Sequence, residues 1–412
     1  MRTILHCDAN NFYASVECAL NPGLKDKYVA VSGDPEKRHG IILAKNTAAK
    51  ACGVKTGETI WQAKQKCPQL ICVPPHFDMY VEYSRRIFAI YTQYTQRVEP
   101  FGIDECWLDV TDSLKLLGSG EKIAEELRER IKREVGVTVS IGVSFTKVFA
   151  KLGSDMKKPD AVTVISPENF KRKVWGLDAS EMLMVGRRTA AKLAKVGIHT
   201  IGDLANADVR ILHQMLGVNG DKLRAEARGE GSDDVRLSYE TDDPKSIGNS
   251  TTLPRDVTTR EEVESVIAAL SEMVATRLRK HGFVGRGIAV GIKYSDLTGE
   301  GKQRVIADTD NASTIVREAM KTVDTLYAFG EDMPIRALSV TVYDLSPADA
   351  ATQTSMFDEE SDKQHRLGKS LDAIRSKYGY RAIRSASVLA NAGLCEGLVV
   401  TEFKPFDRGH TG

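Results

Sequence analysis

With 412 residues, 42% hydrophobic and 27% charged, the chain can form roughly two to four domains, each burying its own core. Lysine and arginine total 57 against 56 acids, a formal charge of +1, so a uniformly basic coat for nucleic acid is excluded and any polyanion must be met by local patches. Apolar runs stay below the roughly 18 residues of a membrane span, and Met1-Arg2 leads straight into a strand pattern without a signal peptide. The seven cysteines contain no CxxC pair and sit mostly in apolar runs, as reduced buried thiols do. The expectation is a soluble cytoplasmic protein with no membrane partner.

Thr3-Ile4-Leu5-His6-Cys7-Asp8 reads as a short buried strand ending in an acid, which can be either a helix N-cap or a ligand. Residues 10–20 predict a helix, since Phe12, Val16 and Leu20 recur every fourth position, and Asn21-Pro22-Gly23 breaks it. Residues 28–32 and 40–44 then predict two strands, and 46–52 and 59–66 two helices, together a small α/β unit. Residues 78–97 carry Tyr80, Tyr83, Ile87, Ile90 and Tyr94 at helical spacing, a stripe that belongs in a core.

The next stretch, Val98 to Val110, is apolar and β-prone, punctuated by Pro100 and Gly102, with Asp104 and Glu105 adjacent in its middle. Alternation sends neighbouring strand residues to opposite faces, so these two acids share a site only at a strand end, a bulge or a tight turn. A half-buried carboxylate pair repels itself and calls for a cation; a hairpin tip with two solvated acids is the simpler alternative. Counting Asp8, three hard oxygen donors stand on strand ends, a set that suits two Mg²⁺ ions (Mn²⁺ as a substitute) about 4 Å apart. A charged amphipathic helix over 121–134 and strands over 137–143 and 162–165 complete the order strand, helix, paired strands, helix, strand, which is that of a ferredoxin-like unit.

Residues 166–230 predict helices, with 15 lysines and arginines against 10 acids over 146–230, so this is where a polyanion would be met. Gly186-Arg187 and Gly217-Val218-Asn219-Gly220 lie between helices, where glycine turns either serve packing or offer backbone N–H groups to phosphate. A polar linker over 231–244 comes next. Beyond it, helices near 260–281 and 311–328 alternate with strands at 287–294, 303–307 and 336–343. Residues 241–345 carry 13 lysines and arginines against 16 acids, so phosphate contact there depends on a cluster: Lys245, Ser246, Arg286, Lys293 and Arg304. Residues 346–364 read as a mobile acidic linker interrupted by Gln353-Thr354-Ser355-Met356-Phe357, and Leu367, Leu371 and Ile374 as a short helix before a loose tail.

Asp8, Phe12-Tyr13-Ala14-Ser15-Val16-Glu17, Ile103-Asp104-Glu105 and Asp109 together resemble the Y-family translesion DNA polymerases, most closely the bacterial polymerase IV branch, and the resemblance runs almost to the C-terminus. It implies a multidomain α/β (α+β) chain. The parts would be a ferredoxin-like palm (1–22 and 76–165), small α/β fingers (23–75), a helix-hairpin-helix thumb (166–230), a linker (231–244), an α/β little finger (245–345) and a flexible tail (346–412). It also implies template-directed nucleotidyl transfer on primer–template DNA with dNTP, by a monomer. Asp8, Asp104 and the Ala9 carbonyl would hold the cation that carries the triphosphate; Asp8, Asp104 and Glu105 would hold the one that acidifies the primer hydroxyl. Tyr13 would be the steric gate beside Phe12, Lys158 a triphosphate contact, and Gln353, Met356 and Phe357 a peptide for the sliding clamp (β subunit). Three departures stand out: Thr47 and Lys50 where relatives place Tyr and Arg, Arg187 where a second glycine is common, and Gly102 where serine is frequent. A two-metal nuclease, a nucleotide cyclase and an inactive DNA-binding homologue are the rival expectations.

Overall fold

The computed structural model describes residues 1–34, 36, 38, 40–231, 234–240, 243–348, 359–379, 382–395 and 398, with backbone alone for 359–364. They fall into two compact units, one mainly Met1–Gly33 with Ile41–Thr241, the other mainly Asp242–Glu402.

In the first unit β1 is Ile4–Ala9, β2 Val29–Ser32, β3 Ile42–Lys45, β4 Ile71–Val73, β5 Val98–Pro100, β6 Glu105–Asp109, β7 Val139–Ser144 and β8 Val162–Ile165. The main sheet has the order β5-β6-β1-β7-β8, with β1 antiparallel to both neighbours and β8 parallel to β7. With helices Phe77–Tyr91 and Gly120–Glu134 this is the ferredoxin-like arrangement, with β8 added at one edge. Alternation along β1 sorts its side chains. Leu5, Cys7 and Ala9 join Tyr80, Ile87, Ile123 and Leu127 in the core under those two helices. Ile4 faces the other way and packs with Trp107 of β6 and Ala150 of helix Lys147–Met156. His6 and Asp8 share that second face by the same period of two.

Helix Lys147–Met156 lies hard against this face. A Cβ on Gly142 of β7 would sit 1.8 Å from the Ala150 carbonyl oxygen and 2.5 Å from the Ser154 nitrogen, both backbone atoms that cannot swing aside. Gly142→Ala is therefore expected to destabilise the first unit by about 3 kcal/mol or more, read as a lower urea midpoint at unchanged slope. A wild-type midpoint would mean that the helix can move off the sheet at little cost.

A three-stranded sheet, order β3-β2-β4, buries Ala30, Ile42, Ala49, Ala63 and Leu70 with helices Thr47–Ala51 and Ile60–Lys66. Asn46 and Thr59 cap those helices through their side chains, as the positions of short polar residues before each apolar run predict. Helices Phe170–Val174, Arg187–Ala194, Ile201–Asn206, Val209–Leu216 and Val218–Ala227 share a core with Phe149 and Leu152 of helix Lys147–Met156.

In the second unit β9 is Ser246–Val257, β10 Phe283–Tyr294, β11 Gly299–Thr309 and β12 Ile335–Pro347, paired antiparallel in the order β11-β10-β12-β9. Helices Arg260–His281 and Ala312–Val323 cover one face, burying Val266, Leu270, Val274, Ile315 and Val323 against Ile288, Val290 and Val340. Among the described residues no helix is long and apolar enough to cross a membrane.

Several sequence expectations need correction. The helix expected over 78–97 stops at Tyr91, because the chain turns through Thr92–Tyr94 to reach β5. Residues 246–257 form a whole strand that sequence patterning misses; Pro254 hides its pattern, and proline is tolerated because β9 is a sheet edge. The largest difference is the C-terminal tail. Glu359–Tyr378 is one 20-residue helix, so the linker expected to reach residue 364 ends sooner. The described part of the chain beyond that helix is not loose either: Val388, Leu394, Cys395 and Leu398 are buried in the second unit's core. Two ion pairs fasten the long helix. Arg279 Nε donates to Asp372 Oδ2 at 2.6 Å, and Arg375, 7% exposed, donates to Glu272 Oε2 at 2.6 Å. The charges that made this segment read as solvated are the ones that dock it.

Candidate active site

The site is built where β1 and β6 end. Register sets Asp8 directly opposite Glu105 across the antiparallel pair. Asp104 precedes β6 in a bend just after Gly102, whose φ of 95° is open to glycine at little cost. The Ala9 N–H donates to the Asp104 carbonyl at 3.0 Å, which ties that bend to the end of β1. Asp104 thus escapes the alternation that would send it to the far face, and the three acids meet at one end of the sheet. A turn is one of the solutions the sequence left open.

Their electrostatics reflect crowding. Burial, then the neighbouring Glu105 charge, pushes Asp8 up to about 7 against the pull of Lys158. Asp104 is raised by burial and by Glu105. Glu105 goes the other way: burial opposes its charge, but the neighbouring His6 ring and the Lys151 ammonium bonded to it keep it below the usual carboxylate range. Lys158 Nζ donates to Asp8 Oδ2 at 2.7 Å and to Asp155 Oδ1 at 2.7 Å, while Lys151 Nζ donates to Glu105 Oε2 at 2.7 Å. Among the described residues no three His, Cys, Asp or Glu side chains are closed into a ready metal cage. The donor set nonetheless fits hard divalent cations: three carboxylates on converging strand ends, two of them destabilised as anions by burial and by each other.

One consequence is measurable without catalysis. Asp8 holds a proton below about 7, and that proton must leave before a cation binds. Affinity for Mn²⁺ is expected to rise about tenfold per pH unit up to that point and to level off above it. Titration of Mn²⁺ binding between pH 5.5 and 8.5 checks this, and a flat profile contradicts it.

Tyr13 is partly exposed, and its hydroxyl is raised by burial and by the Asp104 charge, so the ring lies beside the acids. Tyr80 stacks flat behind it, centroids 4.2 Å apart and planes 10° apart, and Phe77 meets it edge-on. Tyr80 in turn donates its hydroxyl to the buried Glu17, which His76 also bonds at 3.0 Å. Phe12 is only 3% exposed and packs in the core of the first unit beside Tyr13. Thr47 and Lys50 are exposed on the short helix Thr47–Ala51, with Asn11 Nδ2 donating to Thr47 Oγ1 at 3.1 Å.

Sequence reasoning missed the residues that hold this frame. Lys45 is depressed by burial and then by the Lys50 charge, so these two cations stand close together. Asn10 Oδ1 accepts from the Asp160 N–H at 2.8 Å, and Arg128 and Lys132 each hold the Asp160 carboxylate at 2.7 Å, fixing the loop that presents Lys158. A polar residue just after the strand-end acid was the available signal for Asn10; nothing in the sequence pairs Asp160 with a helix some 30 positions earlier.

The expected DNA contacts are placed unevenly. Gly186, Arg187 and Arg188 are exposed at the start of helix Arg187–Ala194, with open space where a Gly186 Cβ would lie. Gly217 has φ 63° and open surroundings. Gly220 is buried, its N–H donates to the Gly217 carbonyl, and a Cβ there would sit 2.4 Å from the Leu212 oxygen, so close packing of helices Val209–Leu216 and Val218–Ala227 requires glycine. In the second unit Lys245, Ser246 and Lys293 are exposed, whereas Arg286 pairs with Asp308 and Arg304 with Glu318. Gln353, Met356 and Phe357 lie outside the described residues.

A ferredoxin-like sheet with its acids on the β1 and β6 ends, a helical module and a separate four-stranded α/β unit define a class, and sequence comparison agrees. The chain belongs to the impB/mucB/samB family: the family's model matches residues 7–155 and that of its C-terminal domain residues 244–356. Among its relatives, a protein named DNA polymerase IV from Acetivibrio thermocellus is 48% identical over 95% of this chain and 99% of its own length. The DNA polymerase IV of Moorella thermoacetica is 40% identical over 96% and 98%, and the DNA polymerase IV 1 of Bacillus subtilis 36% identical over 94% and 93%. A solved Y-family DNA polymerase chimera has the same fold, with a TM-score of 0.75 at 24% identity, covering 83% of this chain and 98% of that one.

Proposed function

We propose that this protein is a DNA-directed DNA polymerase of the translesion type, extending a primer 3′-hydroxyl with dNTP opposite undamaged or damaged template in DNA repair and damage tolerance. One observation carries the chemistry: the register that sets Asp8 against Glu105 while the Ala9 N–H ties Asp104 beside them. Asp8, Asp104, Glu105 and the Ala9 carbonyl would hold two divalent cations, Mg²⁺ with Mn²⁺ as a substitute. When bound, such ions activate a hydroxyl and offset charge on the leaving pyrophosphate. The chain's own residues do the rest by positioning. Lys158 gives up Asp8 for the triphosphate, and Lys50, Lys45 and Thr47 meet that group from the fingers. Lysines are point charges, so this side of the site attracts phosphate without the two-pronged grip of an arginine. Tyr13, backed by Tyr80, borders the sugar. Backbone groups at Gly186 and Gly217 with Arg187 take the duplex phosphates, and Lys245, Ser246 and Lys293 take the DNA from the second unit.

The reading is tested by insertion with each of four template bases: the dNTP incorporated must change with the template base and vanish on chelation. Indifference to the template would overturn it.

The same reading makes the enzyme a cytoplasmic monomer with one macromolecular partner besides DNA. Met356 and Phe357, large apolar residues in an acidic stretch, are anchors for a pocket on the sliding clamp, with Gln353 beside them. Converting both to Ala is expected to abolish stimulation by the clamp and leave unassisted extension intact. Equal loss of both activities would contradict this partner.

A further inference from the structure

Phe101 is the last residue before the bend that carries Asp104, and its ring is left 41% exposed. A single exposed apolar residue is ordinary in itself, but register gives this one a particular place. β5 and β6 pair Val98 with Leu108 and Pro100 with Cys106, and the Phe101 N–H continues the ladder by donating to the Glu105 carbonyl at 2.9 Å. Phe101 therefore stands opposite Glu105 on the same face of the sheet, with Cβ atoms roughly 5 Å apart. Asp8 stands opposite Glu105 on its other side. Phe101, Glu105 and Asp8 thus form a row across the end of the sheet. The ring is also fixed. Its diagonal neighbour Trp107, 3% exposed, packs against it with centroids 4.7 Å apart and planes at 48°, and the indole Nε1 donates to the Lys147 carbonyl at 3.1 Å. Lys151 Nζ, bonded to Glu105 Oε2 at 2.7 Å, lies 5.8 Å from the centre of the Phe101 ring. An apolar ring backed by a buried indole is therefore held open to solvent beside Glu105.

We propose that Phe101 is a primer contact, its ring bearing on the deoxyribose of the terminal nucleotide and setting the 3′-hydroxyl before the acids, given the reading of Asp8, Asp104 and Glu105 as the acids of the polymerase site. A hydroxyl activated by a divalent cation on Glu105 lies about 2 Å from that ion, so the sugar that carries it falls beside Glu105. Lys158, the triphosphate contact of that reading, bonds Asp8 instead, which leaves the Phe101 end of the row to the primer. The deoxyribose is the least polar part of the strand's backbone, and its C–H bonds suit the electron-rich face of a ring. Alignment is where such a contact acts, because a misplacement of about 1 Å can cost on the order of 10²-fold in rate.

Phe101→Ala and Phe101→Tyr are compared in single-nucleotide insertion at saturating DNA and dNTP, beside Mn²⁺ binding to the free enzyme and the thermal midpoint. Phe101→Ala is expected to slow insertion by about 10- to 100-fold while the KM for dNTP and the Mn²⁺ affinity stay unchanged. Phe101→Tyr, which restores the ring, should recover most of the rate. Mn²⁺ binding that weakens in step with the rate would make the ring a prop for the acids and overturn the proposal. Should Phe101→Ala not fold, p-benzoylphenylalanine at position 101 keeps a ring there. On irradiation it must cross-link to the terminal nucleotide of a labelled primer; bonding to the template strand alone, or to neither strand, overturns the proposal. A wild-type enzyme that inserts no nucleotide sinks the reading of the site, whereas an active wild type matched by Phe101→Ala sinks this inference alone.

Discussion

Asp104→Asn is expected to slow nucleotide insertion on the order of 10³-fold or more, with little change in DNA affinity. The substitution keeps shape and removes one of three charges that would hold the catalytic cations, a loss of several kcal/mol of transition-state stabilisation. The fold should not suffer. Asp104 is raised as an acid by burial and by the Glu105 charge, so a neutral amide relieves repulsion, and the thermal midpoint should stay level or rise. In the proposed reading DNA affinity rests on other residues, at Gly186, Arg187 and Gly217 and in the second unit. Stopped-flow insertion, duplex binding and thermal melting on one preparation separate the three quantities. An Asp104→Asn protein that extends primers near the wild-type rate would remove Asp104 from the site.

The second large effect is sugar selection. Tyr13 is the ring that combines partial exposure, proximity to Asp104 and a rigid backing. A flexible ring would yield to a ribose hydroxyl; one stacked 4.2 Å from Tyr80, itself anchored on Glu17, cannot retreat. Tyr13→Ala is therefore expected to raise ribonucleotide insertion relative to deoxynucleotide by about 10²–10³-fold, or 2–4 kcal/mol, while deoxynucleotide insertion stays active. Paired dNTP and rNTP single insertions measure it. Unchanged preference in an active variant would exclude Tyr13 as the gate and make Phe12, packed beside it, the next candidate.

Much of this site was legible because its residues are local to strong patterns. Asp8 ends a buried strand, Phe12-Tyr13 follows Asp8-Ala9 by about one helical turn, and the Asp104-Glu105 pair interrupts an apolar run. Even the difficulty posed by two adjacent acids pointed to a turn, which the bend after Gly102 supplies. The illegible part depends on partners far away in the chain. The bond from Asp160 to Asn10 and its ion pairs to Arg128 and Lys132 close over separations no period reports. Gly220 looked like Gly217 in sequence; only packing against Leu212 tells the two glycines apart. The C-terminal helix misled for a related reason. Asp372 and Arg375 read as solvated charges until their partners Arg279 and Glu272, about 100 positions earlier, are seen beside them. Edge strand β9 was hidden by Pro254, a residue that a central strand would not accept.

Primer extension on an undamaged and an abasic template, with all four dNTPs and a divalent cation, tests the central claim most directly. The account predicts that the primer grows to the template end on the first and beyond the lesion on the second, that both products vanish on chelation, and that Asp104→Asn gives neither. A primer that is shortened, or one that remains unextended while DNA is bound, would contradict it in favour of a nuclease or an inactive DNA-binding protein.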